Sequence, residues 1–152
     1  VIIVSGILLP LHLLAAGIWL GCVLVEVAFE RALAEPSDYR LVLANLHDEV
    51  DKIVEIPAFS VVLLTGTIML GNLLANGATI SGLLLTKIAI GITTVLINIY
   101  CARLVFERKR LAEEGDDAGY QLIDDKQHKW GALVLIGVVT AMIFGLVLAL
   151  GR

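Results

Sequence analysis

Four stretches of this chain, residues 2–29, 53–75, 80–105 and 130–150, are nearly free of charge, and each is long enough to cross a lipid bilayer as a helix. A helix rises about 1.5 Å per residue and the hydrocarbon layer is about 30 Å thick, so one crossing takes about 20 mostly apolar residues. A chain of 152 residues that spends most of its length this way leaves little for a water-soluble core, and its hydrophobic share of 59% is above that of a soluble domain. The sequence therefore predicts one all-α domain over 1–152, an integral membrane four-helix up-down bundle with its helices extended on the cytoplasmic side.

The connections carry the punctuation that such a bundle needs. Pro36, Ser37 and Asp38 break the chain after the first stretch, with Ser37 or Asp38 as an N-cap for the next helix. Tyr39 to Lys52 then reads as a polar extension of the second span, and Pro57 inside it predicts a bend. Asn76-Gly77 marks a tight turn, and the charged run ERKRLAEE continues the third helix until Gly115. A fourth helix is expected from about Asp116 or Asp117. The first stretch has no basic start and contains Trp19 and Glu26, so it is expected to stay in the mature protein as a span rather than leave as a signal peptide.

Basic residues set the expected orientation, because Lys and Arg are retained on the cytoplasmic side. Arg103, Arg108, Lys109, Arg110, Lys126 and Lys129 lie in the last connection, and Arg31, Arg40 and Lys52 lie in the first. The Asn76 to Thr79 turn has none. Both termini are thus expected on the non-cytoplasmic side of a membrane, a bacterial inner membrane in this reading. With a net charge of -4 and no basic-aromatic surface, nucleic acid is not an expected partner. Cys22 and Cys101 fall inside spans without CxxC or zinc-type spacing and read as packing residues.

Ionisable groups inside hydrocarbon cost about 2.5 to 3.5 kcal/mol each on insertion scales, so they face inward and have a task. His12, Glu26, Glu55 and Lys87 are the candidates within the spans. At 100° per residue, His12, Trp19, Glu26 and Glu30 share one stripe of the first helix. His47, Asp51 and Glu55 follow one another along the second, and Lys87, Thr94, Asn98 and Cys101 along the third. Depth divides them: His12, Lys87 and Thr65 gather near the outer end, whereas Glu26, Glu30, His47, Asp51, Glu55, Asn98, Glu107, Asp125 and His128 gather near the cytoplasmic end. His47 and His128 there suit a haem b held between two imidazoles. Glu30, His47, Glu107 and Asp125 with His128 alternatively outline a carboxylate-histidine metal site, although no Glu stands three residues before His47. Plainer roles compete: Glu26 paired with Arg103, Lys87 snorkelling to the outer interface, and both cytoplasmic histidines lying solvated.

Four segments carry a family resemblance: LHLLAAGIWLG (His12, Trp19, Gly21), LLTGTIML (Thr65, Gly66), LLLTKIAI with a following Asn (Lys87, Asn98), and a basic connection before an apolar last helix. Together they resemble a group of small bacterial membrane proteins that includes the copper resistance protein D-like domain and the HemJ-type protoporphyrinogen oxidases. The resemblance implies that His12 and Lys87 are the characteristic polar residues, with haem b and porphyrinogen oxidation in one branch and copper uptake in the other. The chain departs from both. Its thiols and thioethers, Cys22, Cys101, Met69 and Met142, form no cluster suited to copper(I), and HDEVDKIVE has no counterpart in the oxidase pattern.

The leading expectation is a membrane haem b protein for electron transfer, or an oxidoreductase subunit exchanging electrons with a quinone or redox protein, with His47, His128, His12 and Lys87 at the cofactor. The alternative is a non-haem metal or proton-relay protein using Glu26, Glu30, His47, Glu55 and His128, with an iron or copper ion. A cofactor-free subunit of a homo-oligomer or larger membrane complex is the third class.

Overall fold

The computed structural model describes residues 2–32 and 39–150. Pro36, Ser37 and Asp38, expected to break and cap the chain, lie outside the described residues. Four helices long and apolar enough to cross a membrane account for almost all the rest: Ile2–Ala32, Arg40–Ala75, Gly82–Glu114 and Asp117–Leu150. The longest, at 36 residues, measures about 54 Å at 1.5 Å per residue, far more than a bilayer core requires. The surplus lies at one end of the bundle, here the charged end; the opposite, turn end carries the Asn76–Gly77 turn.

Local chemistry sets the helix limits. Ser81 caps the third helix by accepting a hydrogen bond from the Leu84 N–H at 3.2 Å. Gly115 ends that helix in the left-handed region, at φ 71°, and the Asp116 N–H returns to the Leu111 carbonyl, a Schellman closure that favours glycine. The Asp116 carboxylate then accepts from the Gly119 N–H at 3.0 Å and starts the fourth helix.

The second helix is not uniform. Its first part, Arg40–Val50, is α-helical; Asp51–Glu55 is a π turn; Ile56–Ala75 is α-helical again. The Ile56 N–H bonds the Asp51 carbonyl five residues back, and Pro57 has no N–H with which to restore the tighter pattern at the next step. The expected bend at Pro57 is therefore realised as a widened turn. It re-aims the helix: the part before it packs on the third helix, whereas the part after it leaves the third and lies along the first. The third and fourth helices make the most extensive pairing in the molecule.

Two apolar clusters hold the bundle. Trp19, Phe59, Val95, Val134 and Val138 form one toward the turn end, with the Trp19 and Phe59 rings 5.9 Å apart. Ala44, Leu104, Leu111, Tyr120 and Ile123 form the other at the charged end. A methyl group at Gly137 would run into the Thr94 side chain, so the third and fourth helices touch almost backbone to backbone there. Elsewhere the helices turn apolar side chains outward, as at Leu64, Leu96, Ile136 and Leu146. Such faces are compatible with lipid, and in a bilayer apolar burial alone would do little to join the helices, because lipid tails are as apolar as leucine. The polar groups between the two clusters therefore matter for the fold as well as for chemistry.

Candidate functional site

The polar residues of the charged half form two adjoining layers. The deeper contains Glu26 from the first helix and Asp51 and Glu55 from the second. One carboxylate oxygen from each lies within 4.8 Å of the others. Asp51 and Glu55 open and close the π turn, and with four-residue spacing both carboxylates lie on the inward face, at 1% and 3% exposure. Both oxygens of Asp51 are buried without a nitrogen or hydroxyl donor, and face only the carboxyl groups of Glu26 and Glu55. Among the described residues, the ion pairs include none made by Glu26, Asp51 or Glu55. The Cys22 thiol approaches Glu26 at 3.8 Å, and the neighbouring Trp19 indole and Asn98 amide each keep a buried N–H without a partner.

The second layer lies one turn nearer the charged end and is built around Arg108, which is wholly buried. Its guanidinium donates to Asp124 at 2.5 Å, to Glu30 at 3.3 Å and to His47 Nδ1 at 2.7 Å. Because a guanidinium only donates, the Nδ1 of His47 must accept, and the neutral ring then carries its proton on Nε2. Burial, with the Arg108 charge beside it, pushes His47 down to about 4, in keeping with a neutral ring. His128 is in the opposite state. Its Nε2 donates to Glu30 at 2.8 Å and its Nδ1 to the Asp124 backbone carbonyl at 2.9 Å, so both nitrogens carry protons. The hydrogen bond to Glu30 leads the effects that raise His128 to about 9. Burial pulls the Glu30 carboxyl upward, but the bond and charge of His128, with His47 and Arg108, outweigh it and hold Glu30 below its ordinary range.

The layers thus differ in charge balance. Glu30 and Asp124 supply two negative charges, answered by Arg108 and His128. Glu26, Asp51 and Glu55 supply three when ionised and meet no cation. Two like charges 4.8 Å apart repel by about 3 to 4 kcal/mol at an effective dielectric of 20, so three ionised carboxylates do not stay together unaided.

The sequence places several of these residues well and misses others. Glu26, Glu30, His47, Glu55 and His128 do converge at the charged end, as their stripes suggest. Glu107 and Asp125 are exposed, and the inward positions belong to their neighbours Arg108 and Asp124. Arg103 is exposed too, so Glu26 meets two carboxylates rather than that arginine. At the turn end, His12 Nδ1 lies 2.8 Å from Thr65 Oγ1, and its ring lies against Gly66. Lys87 packs beside Gly145 of the fourth helix. His12 and Lys87 are therefore remote from the charged-end layers. A macrocycle between His47 and His128 would have to displace the Glu30 carboxylate, which reaches His47 at 3.8 Å and His128 at 2.8 Å.

Comparison with protein-family models, with curated proteins and with solved structures returns no match to this chain.

Proposed function

We propose that this chain is an integral membrane protein that binds one divalent metal ion among Glu26, Asp51 and Glu55, close to the cytoplasmic face. The observation that carries the reading is Asp51: a carboxylate at 1% exposure, with neither oxygen met by a nitrogen or hydroxyl donor and two further carboxylates within 4.8 Å. A buried charge without a partner is among the costliest features a fold can hold, and a cation removes the cost of all three carboxylates together. The spacing suits this. Metal–oxygen bonds of about 2.0 to 2.6 Å put two ligands of one ion no more than about 5 Å apart. An all-carboxylate donor set favours the oxygen-preferring cations, magnesium, manganese or calcium, over copper(I).

The membrane setting and orientation belong to the same proposal. Four apolar helices with apolar outward faces support integration, and the basic residues of the charged end support a cytoplasmic location for it, with both termini opposite.

Haem b ligated by His47 and His128 is the competing reading, favoured by two imidazoles facing one carboxylate. It asks more of the site, because the Arg108 bond at Nδ1 and the proton on Nε2 leave His47 without a free lone pair. The test is equilibrium binding of manganese(II) by the detergent-purified protein, followed by electron paramagnetic resonance. One ion per chain is expected, lost in Asp51→Asn and in Glu55→Gln. Equal binding by both variants and the unaltered protein would dismiss the assignment.

A further inference from the structure

The two layers offer five carboxylates and two imidazoles within two helical turns, which on composition alone suits a pair of metal ions. Only one layer lacks a cation. We propose that Arg108 is the built-in cation of the outer layer and restricts the seam to a single metal ion. The inference rests on the assignment of a metal to Glu26, Asp51 and Glu55, and it concerns a residue outside that set.

Three features converge on Arg108. It is the largest wholly buried side chain among the described residues, so solvent screens its guanidinium little. It bonds the carboxylates of Glu30 and Asp124, two of the three residues whose donor atoms otherwise cluster as a metal site with His128. It also bonds Nδ1 of His47 at 2.7 Å, sharing that lone pair with the Gln127 amide at 3.1 Å, and His47 is the neutral imidazole of the layer that could act as a further ligand. A guanidinium thus occupies one oxygen of each carboxylate and the ring nitrogen, and places its positive charge where a second ion would sit. The His128 imidazolium, donating from both nitrogens, completes neutrality without any metal. Without the guanidinium, the layer presents Glu30, Asp124, His47 and His128, a mixed nitrogen and oxygen set suited to zinc or cobalt(II), unlike the all-oxygen set beneath it.

The experiment compares metal stoichiometry in the full chain and in Arg108→Gln, using manganese(II) for the deeper layer and cobalt(II), with its visible absorption, for the outer one. The unaltered protein should bind one ion and show no cobalt band of nitrogen-ligand type. Arg108→Gln should bind two, with the new band abolished by adding His128→Ala. A folded Arg108→Gln protein that binds no more metal than the parent would overturn the inference. Should Arg108→Gln fail to fold, Asp124→Asn and His128→Gln in the otherwise unaltered chain decide the matter. Both should keep one manganese with affinity changed less than about threefold, whereas a loss of about tenfold or more, the scale of removing a ligand or its direct support, would place the metal in the outer layer. If the parent binds nothing while Arg108→Gln gains one cobalt, the deeper assignment fails and the role of Arg108 stands.

Discussion

The two polar layers draw on the same chemical alphabet, yet one sets a cation against each carboxylate and the other sets none. In the outer layer each carboxylate faces a cation, and the central guanidinium, carried by the third helix, bonds one residue from each of the other three. In the deeper layer three carboxylates face one another. The first arrangement is a structural clasp between helices, of the kind that a bundle in lipid would need. The second is an energetic deficit that persists only if a ligand or protons relieve it. A count of polar residues does not separate a clasp from a site; charge balance does.

Substitutions should therefore act in opposite directions in the two layers when metal is absent. The largest effect is expected for Arg108→Met in chelator-containing buffer. Glu30 and Asp124 then lose their buried partner, and the thermal or denaturant stability of the solubilised protein should fall by about 3 to 5 kcal/mol. Under the same conditions Asp51→Asn should raise stability, by about 1 to 3 kcal/mol, because one of three crowded buried carboxyl groups is replaced by a group that cannot ionise. A stability loss for Asp51→Asn in chelator would mean that the deeper layer is held together by bonds of its own, and the contrast would collapse.

The contact between the third and fourth helices gives a comparable effect of a different kind. Gly137→Val should cost about 1 to 3 kcal/mol, since the new side chain meets Thr94 with no room to retreat. Substituting Gly71, which has open space around it, should cost far less in the same melt.

The pH profile sharpens the contrast further. His128 has its value raised, so its contribution is fully present below 6.5 and is gone once pH has risen through about 9. Glu30 has its value lowered, so its contribution is present above 4.5 and is lost as pH falls through the lowered value. The metal-free protein should accordingly lose stability on the alkaline side between about 6.5 and 9, and His128→Ala should flatten that limb in melts taken across the range. The smallest effect belongs to the solvent edge. Arg40 pairs with Asp117, whose side chain is 83% exposed, and Arg40→Ala should shift stability by less than about 1 kcal/mol.

Much of the fold is legible in the sequence because hydropathy and punctuation act locally. Gly115 ends a helix since only a left-handed residue closes it, and that requirement is visible in one letter. The inward stripe of the first helix is visible as well, because His12, Trp19, Glu26 and Glu30 are nearly alone in an apolar surround. Phase is harder to read in the extensions, where charges occur on every side. There the sequence reading selects Glu107 and Asp125, one residue away from Arg108 and Asp124, and a single residue turns a side chain by 100°. Leu104 and Leu111, both buried, bracket Arg108 at helical spacing and hold the missing signal. The π turn is legible only as a bend at Pro57, whereas the shared face of Asp51 and Glu55 is already legible in their four-residue spacing.

We propose that the deeper carboxylates hold a metal ion and that the histidines hold no haem. It is tested most directly by total metal analysis of the as-purified protein beside Asp51→Asn, with absorption spectra of both samples, oxidised and dithionite-reduced. One oxygen-preferring divalent ion per chain in the parent, its loss in the variant, and no Soret band in either are the expected result. A Soret band that disappears in His47→Ala, or a parent protein without metal after growth in metal-replete medium, would contradict it.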